Sequence, residues 1–132
     1  MIDVSCAIIL HQSGKILVTQ RSASMPLPLK WEFPGGKVEP GETPEESLIR
    51  EIKEELDLNI KITGCLTPNT HSYAQSTIRL IPFICKIASG TIILKEHAAY
   101  RWLNNNEIQQ LDWAEADVPI VKELLREYLR RG

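Results

Sequence analysis

The stretch GGKVEPGETPEESLIREIKEELDL, residues 35–58, constrains the fold more tightly than any other part of the chain. Thr43 is a good N-cap, Pro44 suits the first helical position, and Glu46, three residues after the cap, completes a capping box. A helix therefore starts here. At about 3.6 residues per turn, Leu48, Ile49, Ile52 and Leu56 form an apolar stripe that must pack on a sheet. Glu51, Glu54 and Glu55, at i, i+3 and i+4, converge on an adjacent stripe. Carboxylates this close repel one another, so the arrangement calls for either plain solvation or a cation. Three oxygen ligands at close range suit a hard cation such as Mg²⁺ or Mn²⁺ rather than zinc. Most Glu-rich helices are simply solvated. That reading leaves the preceding loop unexplained, where Gly35 and Gly36 permit close backbone approach and Gly41 a tight turn.

Around this helix the chain reads as strands. DVSCAIIL and KILVTQR, apolar and partly β-branched, are split by HQSG and predict a hairpin. SASMPLPLKWEFPGG, with Pro26, Pro28, Pro34, Gly35 and Gly36, is irregular loop ending in a sharp turn. IKITGCLT and STIRLIPFICKI are two further strands, the second long and paired on both sides; TIIL and AYRWL are short strand candidates. NNNEIQQL predicts one or two helical turns capped by an Asn. DVPIVKELLREYLRR places Ile120 or Val121, Leu124, Leu125 and Tyr128 at helical spacing. Strands with two substantial helices, not strictly alternating, predict an α/β fold with a mixed β-sheet between helices on both faces.

At 132 residues and 15.0 kDa the chain is expected to form one domain with a real core. A hydrophobic share of 43% and a charged share of 24% exclude disordered and fibrous classes. The formal net charge of -2 gives no general attraction to a nucleic-acid polymer or an anionic membrane. An anionic ligand then needs a local basic group or a bridging metal. Cys6, Cys65 and Cys85 are odd in number and widely spaced, which argues against a disulfide framework. With His11, His71 and His97 they could ligate zinc in principle, but no Cys-x-x-Cys pair occurs and buried thiols are the plainer reading. MIDVSCAIIL has no basic lead, and its apolar run is too short for a signal peptide or a membrane span, so a cytoplasmic protein is expected.

From Gly36 five residues lead to Glu42 and seven more to Arg50, after which the chain reads REIKEELDL. This resembles the Nudix box, in which Gly, Glu and Arg stand at those intervals before Glu-apolar-x-Glu-Glu-x-Gly-apolar. One position departs: Asp57 stands where the family has Gly. That Gly is the left-handed residue ending the helix, a conformation Asp tolerates at some cost. VTQR before the box, WEFPGGKVEPGE leading into it and ADVP opening the last helix resemble the MutT branch of the Nudix hydrolases, including its cytidine triphosphate pyrophosphohydrolases. The resemblance spans nearly the whole chain. It implies a Nudix α/β/α sandwich, a single Nudix domain over 1–132 with its box at 36–58, and Mg²⁺-dependent hydrolysis of a nucleoside triphosphate. The products would be the monophosphate and pyrophosphate, with water attacking the β-phosphorus. Alternatives are an 8-oxo-dGTP diphosphatase and a non-catalytic nucleotide-binding module. In either state, monomer or homodimer, the expected partner is a small nucleotide.

The resemblance also assigns residues. Glu51, Glu54 and Glu55 would hold the metal, with the Gly36 carbonyl as a further ligand, and Glu51 or Glu55 could serve as general base. Arg50 would orient a box carboxylate, Glu51. Glu42 would brace the loop, or be an exposed structural residue. Glu96 would be an additional ligand or base, or merely solvated. Arg21, Glu32 and Phe33 match positions lining the nucleoside pocket; Trp31 and Tyr73 either stack on a base or pack on the sheet. Asp117 matches the residue that reads the base edge, and it also suits a helix N-cap. A carboxylate that only accepts prefers an exocyclic amine such as cytosine N4, whereas a protonated one could read 8-oxoguanine.

Overall fold

A computed structural model describes residues 1–127. Tyr128, assigned above to the last helix, lies outside the described residues. The capping box forms as the sequence predicts and opens helix α1, Pro44–Leu56. Thr43 Oγ1 accepts from Glu46 N at 3.1 Å, and Glu46 Oε1 accepts from Thr43 N at 2.9 Å. The helix ends at Asp57, whose φ of 58° and ψ of 31° are the left-handed values that make Gly the usual occupant. Leu48, Ile52 and Leu56 are buried, each contributing about 1.5–3 kcal/mol. Ile49 is 45% exposed and so stands outside the stripe expected of it. Ser47 is buried instead, because its hydroxyl donates to the Lys37 carbonyl at 3.2 Å and draws that side of the helix onto the glycine loop.

The expected hairpin forms only its turn. Gly14, at φ 89°, closes residues 11–14, but antiparallel pairing stops at the single bridge from Leu10 to Ile16. The reason is that both edges of strand β1, Ile2–Ile9, are already taken. A parallel partner, β7 at Ser76–Ser89, fills one, and an antiparallel partner, β4 at Gly35–Lys37, fills the other. Strand β2, Ile16–Gln20, therefore enters a second sheet between β3, Trp31–Glu32, and β8, Ala99–Leu103. AYRWL thus becomes β8. As expected, β7 is paired on both sides, with β1 on one and with β5, Asn59–Cys65, and β6, Asn69–Tyr73, on the other. Pro82 lacks a donor and falls where those two partners change over.

TIIL, expected as a strand, is not one. Its backbone and that of the residue after it serve the end of α1: Ile93 N donates to Leu56 O at 2.9 Å and Lys95 N to Glu55 O at 3.3 Å, satisfying carbonyls a helix end leaves open. A short helix α2, Asn105–Ile108, is capped by Asn104 as predicted. After a 3₁₀ turn at Glu115–Asp117 comes helix α3, Val118–Glu127.

Alternation along β1 sorts the layers. Ala7 and Ile9 pack with Leu48, Ile52 and Leu56 of α1. Cys6 and Ile8 face the other way, into a core shared with Ile120, Val121 and Leu124 of α3. The result is the expected α/β/α sandwich around a mixed sheet, and it sets β4 and α1 side by side.

Candidate active site

Two glycines let β4 lie where it does. A Cβ on Gly35 would overlap the Ser5 carbonyl, and one on Gly36 would overlap the Glu51 carboxylate. Gly36 therefore provides the space in which Glu51 sits. Arg50 ties the loop to the helix: its Nε and one terminal nitrogen donate to Glu42 at 2.7 and 2.9 Å, while the other reaches Glu51 at 2.9 Å and Glu54 at 3.2 Å. Glu42 Oε1 also accepts from Glu39 N at 3.0 Å. These bonds, the Arg50 pair first, hold the Glu42 carboxyl down at about 2. The same partners push the Arg50 guanidinium further up. Glu42 thus makes the bracing contacts, and Arg50 meets Glu51 as well.

Glu55 is the anomaly of the cluster. Its Oε2 is buried and has no hydrogen-bond partner. Burial first, then the charges of Glu51, Glu32 and Glu96, push its pKa to about 8. A carboxylate in that setting stabilises itself with a proton or with a cation. The donors are all oxygens, as a hard divalent ion requires. Among the described residues, no three His, Cys, Asp or Glu side chains already stand in metal-binding geometry. Glu54, 60% exposed at its side chain, is turned to Arg50 instead.

Beside Glu55 opens a cavity of about 900 Å³. Its lining brings Arg21, Glu32, Phe33, Tyr73 and Asp117 together with Gly36, Glu55 and Glu96; Trp31, Glu51 and Glu54 do not line it. Trp31 packs against the α3-side core, and its backbone bonds to Asp112 and Ala114. Arg21 donates to Glu32 Oε1 at 2.8 Å and to the Pro26 carbonyl at 2.6 Å. The Tyr73 hydroxyl accepts from Ala116 N at 3.0 Å.

Asp117 is not a helix cap. It closes the 3₁₀ turn, and its Oδ2 accepts from Phe33 N at 2.9 Å across 84 residues of chain. It is 6% exposed, and burial, followed by the Glu32 charge, raises its pKa well above the carboxylate range. With Oδ2 accepting, a bound proton sits on Oδ1, so the group offers a donor as well as an acceptor.

The sequence reading assigned three polar residues of the site no place in it. His97 is buried against Glu32, its Nε2 3.0 Å from Oε2, and its neighbour Glu96 in the chain was the only hint. Ser5 and Ser47, both fully buried, share a 3.2 Å hydrogen bond under β4, in which Ser5 is the donor because the Ser47 proton goes to the Lys37 carbonyl. Nothing in an apolar run such as DVSCAIIL marks its serine as inward-facing.

Known proteins carry the same organisation. Residues 1–124 match the NUDIX domain family. Over 125 residues the chain is 34% identical to the CTP pyrophosphohydrolase of Escherichia coli strain K12, covering 95% of this chain and 92% of that protein. Over the same length it is 27% identical to the 8-oxo-dGTP diphosphatase of that strain, covering 95% and 97%. The solution structure of the DNA mismatch repair protein MutT, a family Nudix hydrolase from methicillin-resistant Staphylococcus aureus 252, is 42% identical; it superimposes with a TM-score of 0.76 over 96% of each chain. Box, fold and relatives agree, and the chain belongs to the Nudix family.

Proposed function

We propose that this protein hydrolyses a nucleoside triphosphate, ribo or deoxy, to the monophosphate and pyrophosphate, with a divalent cation as cofactor. The observation that carries the reading is the buried, unpartnered Glu55 oxygen at the edge of the cavity holding Arg21, Phe33 and Asp117. A place for a cation lies beside a place for a base. Nudix hydrolases generally use divalent metal ions. Here Glu51, Glu54, Glu55, the Gly36 carbonyl and Glu96 are the proposed donors. An oxygen-only set favours Mg²⁺, with Mn²⁺ as the substitute.

When bound, such a cation supplies charge neutralisation at the phosphate oxygens and activation of water. The remaining work falls to the chain. Arg50 keeps Glu51 and Glu54 on one side of the helix and anchors both to the loop through Glu42. Glu51 and Glu55 are the groups placed to take a proton from the attacking water. The wall built from Arg21, Glu32, Phe33, Tyr73 and Asp117 holds the nucleoside.

Cytosine is the base we favour, since the 34% identical relative is a CTP pyrophosphohydrolase. Burial of Asp117, which favours its protonated form, supports a second reading, 8-oxo-dGTP, because an Oδ1 donor would suit a carbonyl edge. Pairing with cytosine N3 uses the same donor. A small nucleotide substrate, action as monomer or homodimer and a cytoplasmic location complete the proposal. Among the described residues no helix is long and apolar enough to cross a membrane. A panel of nucleotides assayed for pyrophosphate, with Mg²⁺ and with chelator, tests the reading. Cation-dependent pyrophosphate from at least one triphosphate is expected; none from any of them overturns it.

A further inference from the structure

We infer that His97 is a positioning residue for the nucleoside wall, fixing Glu32 from behind so that Glu32 and Arg21 present one arrangement to the substrate. The inference rests on the pyrophosphohydrolase reading above and adds to it a residue outside the box.

His97 is 8% exposed and stands just before β8. The adjoining backbone is anchored, because Ala98 N donates to Gln20 O at 2.9 Å. From there the imidazole reaches Glu32 Oε2 at 3.0 Å, while Arg21 holds the other oxygen, Oε1, at 2.8 Å. A carboxylate paired with a guanidinium is an acceptor, so the imidazole nitrogen facing it is the donor and Nε2 carries the proton. Both Glu32 oxygens are then engaged and the carboxylate plane cannot turn. The Glu32 main chain is held as well, its carbonyl accepting from Thr19 Oγ1 at 3.2 Å.

The other ring nitrogen argues against simple packing. His97 Nδ1 is buried and has no hydrogen-bond partner. An apolar side chain of the same shape would leave no such orphan. What the histidine provides beyond volume is the Nε2 donor to Glu32. Without it, the Glu32 carboxylate is held by Arg21 alone. Arg21 in turn is bonded to the Pro26 carbonyl, in a loop where Leu27 and Leu29 already stand at φ 52° and 62°. Releasing Glu32 therefore loosens the cavity wall on the nucleoside side and leaves Glu51 and Glu54 with their Arg50 contacts.

The test uses wild type, His97→Leu and His97→Gln with the best nucleotide of the panel. His97→Leu keeps the volume and removes the donor. Its KM should rise about tenfold or more, kcat should change less, and the kcat/KM ratio between bases should narrow. His97→Gln, whose amide nitrogen can occupy the Nε2 position, should return KM and the base ratio toward wild type. Nitrogen NMR of the wild-type imidazole, which needs no turnover and no variant, should show the proton on Nε2. An active wild type with KM unmoved in His97→Leu, or a ring protonated at Nδ1 alone, overturns the inference. Equal losses in the Leu and Gln variants also overturn it. A wild type inactive on every nucleotide overturns the pyrophosphohydrolase reading, while the NMR still reports on the His97–Glu32 bond by itself.

Discussion

Replacing Glu55 by Gln should make the cation-free protein more stable at pH 8. Burial and the charges of Glu51, Glu32 and Glu96 lift this carboxyl from 4.5 to about 8. The folded state therefore holds the proton more tightly than the unfolded chain does. With respect to this group the wild type is at full stability below pH 4.5, and it loses stability as the pH rises to about 8. At about 1.4 kcal/mol per pH unit the loss is at most about 5 kcal/mol. Solvent relaxation and sharing of the proton with Glu51 bring it to about 2–3 kcal/mol. Gln does not titrate and matches the protonated acid in shape, so the variant escapes the loss. In a chain of this size that is a Tm gain of roughly 5–10 °C at pH 8 in chelator, shrinking to nothing at pH 4.5. Added Mg²⁺ or Mn²⁺ should raise the wild-type Tm at pH 8 and leave Glu55→Gln nearly unmoved. Parallel thermal melts across this pH range decide the matter. Equal melting of the two proteins at pH 8 in chelator, or a gap that widens toward acid, would refute the reasoning.

Gly36→Ala should cost about 1–3 kcal/mol by thermal melt and abolish turnover, since the new methyl overlaps the Glu51 carboxylate. Arg50→Lys replaces a fork that grips Glu42 through two nitrogens with a point charge; kcat should fall about 10–100-fold, and carbon NMR should show the Glu42 carboxyl titrating well above its wild-type value of about 2. Asp117→Asn can accept from Phe33 N and donate from its amide, as the protonated acid does, so the kcat/KM ratio of dCTP to 8-oxo-dGTP should hold within about threefold, whereas Asp117→Ala should lower kcat/KM for the preferred base by about tenfold or more, about 1.4–3 kcal/mol. A ratio that collapses in Asp117→Asn would mean that the working form is the ionised carboxylate.

The parts of this fold that depend on near neighbours in the chain were legible from residue types. Thr43, Pro44 and Glu46 specify their helix start, and Asp57 its end, because each bond closes within a few residues. The apolar run Cys6, Ala7, Ile8 and Ile9 announces a strand, whereas its packing on both faces is seen only in the structure. Which strands pair was not legible. β2 reads as the natural partner of β1 until β4 and β7, drawn from distant parts of the chain, occupy both edges. NTHSY, the sequence of β6, carries too few apolar residues to register as a strand, and its ordering comes from pairing with β7. The site divides the same way. The box carboxylates follow from spacing on one helix. Burial of Asp117 under Phe33 and of His97 behind Glu32 is tertiary, and with it come the upward pKa shift of one and the orphaned nitrogen of the other.

The central claim, a cation-dependent attack on the triphosphate anhydride that releases pyrophosphate, is tested most directly by one turnover experiment. A nucleoside triphosphate cleaved by this protein with Mg²⁺ in oxygen-18 water, its products resolved by phosphorus NMR, should yield pyrophosphate carrying the label and an unlabelled monophosphate. The same mixture with chelator should yield neither. Label in the monophosphate, release of orthophosphate, or undiminished turnover in chelator would contradict the account.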